Sequence, residues 1–227
     1  IRDLVRSRGR GDVYKRQTGV RELNLPDEKY KPNLLASRIS YAKNCLVTPS
    51  AYQANTVCAT EDRQAQIPEF GNIYNIYCQR CKRNGAMDFD DLLLQTNILL
   101  RDCPDVLARY QELFHYILVD EFQDINHLQY DIVKMLAAPE NNLFVVGDDD
   151  QSIYHFRGAR PEIMLNFPED FKNAETVLLN INYRCSGNIL NTAMKVIDHN
   201  ENRYVKKLST PNNLGEPVEV KEFKNPR

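Results

Sequence analysis

The segment ILVDEFQD, residues 117–124, places acidic and amide side chains directly after an apolar run. Asp120 and Glu121 end the run, and Gln123 and Asp124 follow. Ligands of open α/β sheets bind beyond the carboxyl ends of the strands, so this pair suits nucleotide hydrolysis. One carboxylate would hold a hydrated Mg²⁺ ion, and the other would orient or deprotonate the attacking water. The alternative is a solvated turn, because Asp-Glu after a strand is a weak signal alone.

A second polar segment, VVGDDDQSIYHFRGA, spans residues 145–159. Gln151 could donate to a terminal phosphate, and because it is neutral it would not compete for metal. Tyr154 and Phe156 could stack on nucleic-acid bases, which contributes about 1–3 kcal/mol per base. Arg157 could pair with a phosphate. The alternatives are a solvated acidic loop and two rings that pack in the core.

A third pair, Tyr183 and Arg184, follows the apolar run TVLLNIN. An arginine beside a triphosphate stabilises negative charge in the transition state. The tyrosine could stack on a purine. The alternative is an ordinary pair before a helix that Ser186 caps.

The second half of the chain, from about residue 88, predicts strands that alternate with helices. Such alternation indicates an α/β fold with a parallel sheet, and continuous apolar strands indicate burial on both faces. The polar residues above would then lie at one edge of the sheet. The predicted strands are residues 115–120, 143–148 and 176–182, and the helices are 87–100, 104–114, 125–138, 161–167 and 186–200. A further strand is possible at 217–223.

The first half, from Lys31 to about Gly85, is predicted to be helical. Apolar residues recur there at three- and four-residue spacing, and prolines stand near the expected helix starts. The expected helical stretches are residues 33–44, 48–60 and 67–85. For the helix that begins near residue 88, Asp88 is the expected N-cap.

The composition is that of a globular protein. The 227 residues are 42% hydrophobic and 26% charged, which provides ample material for a core. The net charge of −2 gives no global basic signal, although a groove on a neutral protein can still be basic. No run approaches the roughly 20 apolar residues of a membrane span. Arg and Asp interrupt the early apolar stretches, so no signal peptide is predicted.

The six cysteines are scattered, which predicts reduced thiols in the cytosol. Cys78 and Cys81 form one CxxC without a second pair, so they are interpreted as neighbours on a helix face rather than zinc ligands. Residues 1–17 hold six Lys/Arg against two Asp. They are interpreted as a non-native tail, and a basic nucleic-acid arm is the alternative.

Four motifs, DFDDLL, ILVDEFQD, VVGDDDQSIYHFRGA and LNINYRCSGNIL, occur in this order. Together they resemble the UvrD/PcrA/Rep-type superfamily 1 DNA helicases, and the likeness covers about residues 20–220. It implies a partial RecA-like P-loop NTPase domain, with a parallel sheet and flanking helices, preceded by an all-helical insertion subdomain. It also implies an ATP-driven motor that moves 3′ to 5′ on single-stranded DNA, in repair or replication. The implied cofactors are ATP and Mg²⁺.

The resemblance implies nucleotide-handling roles for residues of two motifs, ILVDEFQD and VVGDDDQSIYHFRGA. Asp120 would coordinate Mg²⁺, and Glu121 would be the catalytic base. Gln123 belongs to the same acidic box. Gln151 would sense the γ-phosphate and link it to the DNA contacts.

The resemblance also implies roles in DNA and adenine contact. Tyr154, Phe156 and Arg157 would touch the single strand, and many relatives have Trp where this chain has Phe156. Tyr183 would stack on adenine, and Arg184 would contact the γ-phosphate. Implied partners are single-stranded DNA, DNA junctions and accessory loading proteins, and the implied location is the cytoplasm, at the nucleoid.

The chain lacks one motif of a complete ATPase. A phosphate-cradling loop has the pattern GxxxxGK[ST], and none of the nine glycines is followed by Lys. We therefore expect an internal fragment that is inactive alone. The expected parts are a tail (1–17), a helical insertion (18–87), the back half of a first motor domain (88–205), and a linker or start of a second (206–227).

Two other functions remain open on the sequence. One is a non-catalytic module that binds single-stranded nucleic acid through residues 154–157. The other is a metal-dependent nuclease built on Asp120 and Asp148–Asp150. No lysine follows that acidic cluster closely, which counts against the nuclease.

Overall fold

The computed structural model describes residues 20–26, 28–152, 160–200 and 203–222. The first half is helical, as predicted. Its helices are α1 (Pro32–Asn44), α2 (Pro49–Ala54), α3 (Thr56–Gln64) and α4 (Phe70–Arg83). Proline stands in the first turn of α1 and of α2, where its missing N–H costs nothing.

The predicted helix over residues 48–60 is two helices. Asn55 adopts an extended backbone (φ −88°, ψ 111°) between α2 and α3. Its side-chain oxygen accepts from the amides of Val57 and Cys58 at 2.9 and 3.4 Å. This cap starts a new helix, so the helical backbone is interrupted at Asn55 even though the spacing of apolar residues continues across it.

An apolar core lies among the first four helices. The rings of Tyr52, Phe70 and Tyr74 pack on one another, with centroids 5.2–6.2 Å apart. The Tyr74 hydroxyl donates to the carbonyl of Val47 at 2.9 Å, so its burial leaves no unsatisfied donor. Cys81 is buried in this core and Cys78 packs against it. Burial raises the pKa of Cys78 to about 12, which agrees with a packing role for this pair.

The second half contains α5 (Phe89–Asp102), α6 (Pro104–Leu113) and α7 (His127–Ala137). Asp88 caps α5, as predicted, and accepts from the amide of Asp91 at 2.7 Å. The Asp91 side chain accepts in turn from the Asp88 amide at 3.1 Å, which completes a capping box. Asn126 and Gln129 form the same arrangement at the start of α7.

A fully buried lysine joins the two halves. Lys43, at the end of α1, lies 2.6 Å from a carboxylate oxygen of Asp88 and 2.6 Å from one of Asp91. Its ammonium also lies 5.1 Å from the ring centroid of Tyr77. Burial alone would lower the pKa of Lys43, but the two carboxylates raise it above its ordinary value. The capping box of α5 therefore also neutralises a buried charge.

Two short strands pair in parallel, as predicted. Strand β1 (Ile117–Val119) lies beside β2 (Leu143–Val145), with Ile117 opposite Leu143 and Val119 opposite Val145. Their carboxyl ends therefore meet at one edge. Leu118 and Phe144, opposite each other, are 72% and 61% exposed, so the expectation of burial on both faces is wrong for this face.

The third predicted strand, residues 176–182, does not form. Its side chains are largely exposed, and its one parallel bridge joins Ile181 to Ser209. The amide of Asn182 donates to the Ser209 carbonyl at 2.8 Å, and the amide of Ser209 donates to the Asn180 carbonyl at 2.9 Å. These main-chain groups are thus paired away from β1 and β2. A strand needs a neighbour along its length, and apolar composition alone does not supply one.

The remaining helices are α8 (Pro161–Leu165), α9 (Phe167–Asp170) and α10 (Gly187–Ile197). The possible strand at 217–223 is not found over its described residues, 217–222. Across the described ranges, every helix is too short or too polar to cross a bilayer. All six cysteines fall within these ranges, and none forms a disulfide.

We expect Lys43→Met to destabilise the protein strongly. The substitution fills the same space but leaves Asp88 and Asp91 without their cation, and breaking a buried pair costs roughly 3–5 kcal/mol. Urea unfolding followed by circular dichroism measures the change in unfolding free energy. The matched control is Arg101→Met on α5, whose ion pair with Asp102 is exposed, and which should change the midpoint little. Equal effects of the two substitutions would contradict the role given to Lys43.

Candidate functional site

The side chain of Gln123 links the ends of the two strands. It lies buried in a short 3₁₀ turn, Phe122–Asp124, directly after β1. Its amide nitrogen donates to Glu121 Oε2 at 2.7 Å, and its amide oxygen accepts from the backbone of Asp148 at 3.0 Å. One side chain therefore fixes the acidic pair after β1 against the polar turn after β2.

The turn beneath Gln123 is anchored by the core of the second half. Phe122 is fully buried, with its ring centroid 5.8 Å from that of Tyr130 and 5.5 Å from that of Phe167. Its amide donates to the carbonyl of Val146 at 2.9 Å. The strand pairing thus extends one step past β2 and holds the turn at the sheet edge.

Asp120 and Glu121 stand exposed at this edge. The amide of Glu121 donates to Asp120 Oδ1 at 2.9 Å. Glu121 has a left-handed backbone, with φ 51° and ψ 42°, which a non-glycine residue adopts at a cost of about 1–3 kcal/mol. Within the described ranges, Asp120 Oδ2 and Glu121 Oε1 have no hydrogen-bond partner, so both could serve a ligand.

Gly147 allows β2 to approach this turn closely. Its φ does not lie in the left-handed region that would require glycine. A Cβ at this position would lie 2.7 Å from Gln123 Oε1 and 3.1 Å from the Phe122 amide nitrogen. Size, rather than conformation, is the reason for glycine here.

The acidic run Asp148–Asp150 belongs to the same edge, and Gln151 bonds to it. Gln151 Nε2 donates to Asp148 Oδ2 at 3.0 Å. Partial burial would raise the pKa of Asp148, but hydrogen bonds from Lys206 and Gln151 hold it below its ordinary value. Asp148 is therefore ionised at neutral pH.

The acidic run is neutralised by residues that the sequence reasoning missed. Lys206 forms ion pairs with Asp148, Asp149 and Asp150. Arg203 pairs with Asp150 at 3.1 Å. No lysine follows the cluster closely in the sequence, but the fold brings Lys206 to it. Because more than 50 residues separate the partners, no local pattern could have revealed them.

These ion pairs count against the metal-dependent nuclease, the alternative that uses Asp148–Asp150 as metal ligands. The acidic run is the only group of three or more possible metal ligands among the described residues, with ligand atoms within 4.8 Å of one another. Lys206 occupies the position between these carboxylates. A cation would have to displace it, so the arrangement favours internal charge neutralisation.

Tyr183 and Arg184 lie in a separate exposed turn. The side-chain oxygen of Asn182 accepts from the amides of Arg184 and Cys185 at 2.9 and 2.8 Å. The Tyr183 side chain is 73% exposed. Between described residues, no hydrogen bond or ion pair joins this turn to Asp120, Glu121 or Gln151. Hydrogen bonds therefore connect Asp120, Glu121, Gln123 and the turn that carries Gln151, whereas those of the third pair, among the described residues, are to its own segment and to Asn212.

The predicted DNA-contacting residues Tyr154, Phe156 and Arg157 lie outside the described residues. A small surface pocket between α6 and α7, lined by Gln111, Phe114 and other side chains, lies at the amino ends of the strands. It stands at the opposite end of the sheet from Asp120.

We expect Gly147→Ala to destabilise the protein by roughly 1–3 kcal/mol, because the added methyl group overpacks the turn. The new Cβ must push Gln123 away from the Asp148 amide. The free energy of unfolding in urea is the measurement.

The matched control is Gly71→Ala in α4. There a Cβ would meet Gln53 Cγ at 3.4 Å, an ordinary contact. Alanine in a helix should leave stability unchanged or raise it by about 0.5–1 kcal/mol. If Gly147→Ala is as stable as the parent, the close contact between residue 147 and Gln123 does not require glycine.

The sequence is similar to a known protein family and to individual known proteins. The family described as the UvrD/REP helicase N-terminal domain matches residues 10–172. The chain is 44% identical over 199 residues to an ATP-dependent DNA helicase PcrA of Leuconostoc citreum. It is 41% identical over 204 residues to that of Staphylococcus epidermidis strain RP62A and 42% over 199 residues to that of Staphylococcus aureus strain Mu50.

These alignments cover 88% of this chain but 26% of each relative. The chain thus spans about a quarter of the length of the curated relatives it matches. The family match itself extends over most of the 227 residues. The acidic turn after β1 and the polar turn after β2 both fall within it. The chain therefore belongs to the UvrD/REP helicase N-terminal domain family.

Proposed function

We propose that this chain is part of an ATP-dependent DNA helicase that moves 3′ to 5′ on single-stranded DNA, in repair or replication. The observation that carries the proposal is the amide of Gln123, which holds Glu121 and the Asp148 backbone at one sheet edge. Relatives that are 41–44% identical are named ATP-dependent DNA helicase PcrA, which supports ATP and DNA as ligands.

The positions of the two apolar cores support the proposed domain organisation. One apolar core draws its residues from Val20 to Cys81, which supports a helical insertion over residues 18–87. The other draws on residues 119–171, which supports a partial RecA-like motor domain over 88–205. We further propose that 206–227 leads into a second motor domain.

In this proposal the carboxylate pair handles the hydrolytic step. Asp120 and Glu121 each keep a carboxylate oxygen without a partner among the described residues, and oxygen ligands suit Mg²⁺. Asp120 would hold the ion, which supplies charge neutralisation at the phosphates when bound. Glu121 would accept the proton of the attacking water. Gln123 takes no part in the proton transfer, but its hydrogen bond fixes the Glu121 carboxylate.

The other roles concern the nucleotide and the strand. Gln151, exposed beside Asp148, would donate to the γ-phosphate. The exposed ring of Tyr183 is available to stack on adenine, and the exposed Arg184 to reach a phosphate. Tyr154, Phe156 and Arg157 would grip the single strand, since aromatic rings accept any base.

We expect Glu121→Gln in the complete reading frame to abolish most ATP hydrolysis. Loss of a general base lowers the rate by about 10²–10⁴-fold, while ATP binding should persist. DNA-stimulated phosphate release measures the rate, and a fluorescent ATP analogue measures binding. Glu112→Gln, at an exposed site in α6, is the control and should hydrolyse ATP normally. Undiminished hydrolysis in Glu121→Gln would refute the assignment.

We also expect the 227-residue chain alone to show no useful ATP hydrolysis, because its sequence contains no Gly-Lys pair to cradle phosphates. The same phosphate-release assay, with single-stranded DNA added, checks this. Clear DNA-stimulated activity from the purified chain would contradict the expectation.

The same measurements distinguish a helicase from the alternative, a non-catalytic module that binds single-stranded nucleic acid. A complete protein that binds single-stranded DNA but shows no ATP hydrolysis under any condition would be a non-catalytic binding module. Such a protein would leave the ordered carboxylate pair without a task, and its DNA affinity would not respond to ATP.

A further inference from the structure

The segment that follows α10 crosses back to the acidic run after β2. Lys206 donates to Asp148 Oδ1 at 2.6 Å and to Asp150 Oδ2 at 3.1 Å, and it also pairs with Asp149. Its side chain is only 13% exposed. One ammonium group therefore serves three successive carboxylates.

Neighbouring residues fix the same segment, which we call the 203–206 strap. Arg203 bridges Asp150 at 3.1 Å and Asp198 at 3.2 Å. The amide of Tyr204 donates to Asp149 Oδ2 at 2.8 Å, and its hydroxyl donates to the carbonyl of Met164 at 3.2 Å. The strap is thus held by both backbone and side-chain bonds.

The carboxylate of Asp148 connects the strap to Gln151. Its Oδ1 accepts from Lys206, and its Oδ2 accepts from Gln151 Nε2 at 3.0 Å. Oδ1 also accepts from the Asp150 amide at 3.3 Å. Because both oxygens are engaged, a shift of the ammonium group would act on the carboxylate that holds the Gln151 amide. Without the cation, three adjacent like charges would repel one another and spread.

We propose that Lys206 is a positioning residue for Gln151, acting through the Asp148 carboxylate. The effect of Lys206 on catalysis rests on the proposed function, because that function gives Gln151 its role at the γ-phosphate. The structural link from Lys206 through Asp148 to Gln151 does not depend on it. The strap leaves the site toward residues 207–222. A displacement of that segment would therefore move the side-chain amide of Gln151.

The charges needed for the link are present at neutral pH. Burial would lower the pKa of Lys206, but its bonds to the three carboxylates raise it. The pKa of Asp148 is lowered in turn by Lys206 and Gln151, against the effect of burial. The contribution of Asp148 to stability is therefore lost only as pH falls through its depressed pKa, and that of Lys206 only as pH rises through its elevated one.

The first test uses the 227-residue chain and does not depend on activity. Two-dimensional ¹H–¹⁵N spectra report the side-chain amide of Gln151, which the spectrum of Gln151→Ala identifies. We expect Lys206→Met to shift this signal and Lys206→Arg to shift it less. Lys207→Met, at the exposed neighbouring position, should leave it in place. An unmoved Gln151 signal in folded Lys206→Met would overturn the proposal. If that variant does not fold, Lys206→Gln provides the same test.

The second test uses the complete reading frame and a double-mutant cycle. Misplacement of a reacting group lowers the rate by up to about 100-fold, so Lys206→Met should reduce kcat for DNA-stimulated ATP hydrolysis by about 10- to 100-fold with KM for ATP unchanged. Lys206→Arg should restore it. In a Gln151→Ala background, Lys206→Met should cause no further loss.

The outcomes distinguish the two proposals. An equal loss of kcat with and without Gln151 would show that Lys206 acts independently of that amide, and an unchanged kcat in Lys206→Met would also overturn its role. A parent protein without ATP hydrolysis would overturn the proposed function instead. The spectra would still decide whether Lys206 positions Gln151.

Discussion

A buried amide must find partners for both its oxygen and its nitrogen. The two partners of the Gln123 side chain follow two different strands, at the edge where both strands end. The nitrogen bonds to Glu121, after β1, and the oxygen to the Asp148 backbone, after β2. Leaving either group unsatisfied in the interior costs about 1–3 kcal/mol. The strand ends are therefore tied together by the cost of burying an amide, and the acidic pair cannot drift from the turn that carries Gln151.

A second buried polar network ties the helical first half to this site. Lys43 neutralises the capping box of α5, and the adjacent Asn44 donates to Asp90 at 3.1 Å. The oxygen of Asn44 accepts from Asn126 at 2.9 Å, and Asn126 caps α7 directly after the acidic turn. These polar contacts thus form a continuous link from α1 to the sheet edge. Such contacts fix one geometry, because each partner has a defined direction.

Local signals predicted the parts of the structure that depend on local interactions. Asp88 was recognisable as a cap, and β1 and β2 as apolar runs that end in acidic residues. The run 176–182 failed as a strand because strand formation depends on a neighbour, and its main-chain groups pair with Ser209. The link from Lys206 to Asp148 spans 58 residues, so no spacing rule could reveal it. The need for glycine at residue 147 is steric and depends on Gln123, 24 positions earlier in the chain, so it too could not be predicted from local sequence.

The left-handed backbone of Glu121 has a consequence for any search for a more heat-resistant variant. Asparagine and glycine tolerate φ near 51° better than glutamate does. On backbone strain alone, selection for thermal resistance would therefore favour replacement at this residue, the one proposed to accept the proton. Selection for turnover would act in the opposite direction. A library screened on both properties should show this position as a point of conflict, where stability and chemistry favour different amino acids.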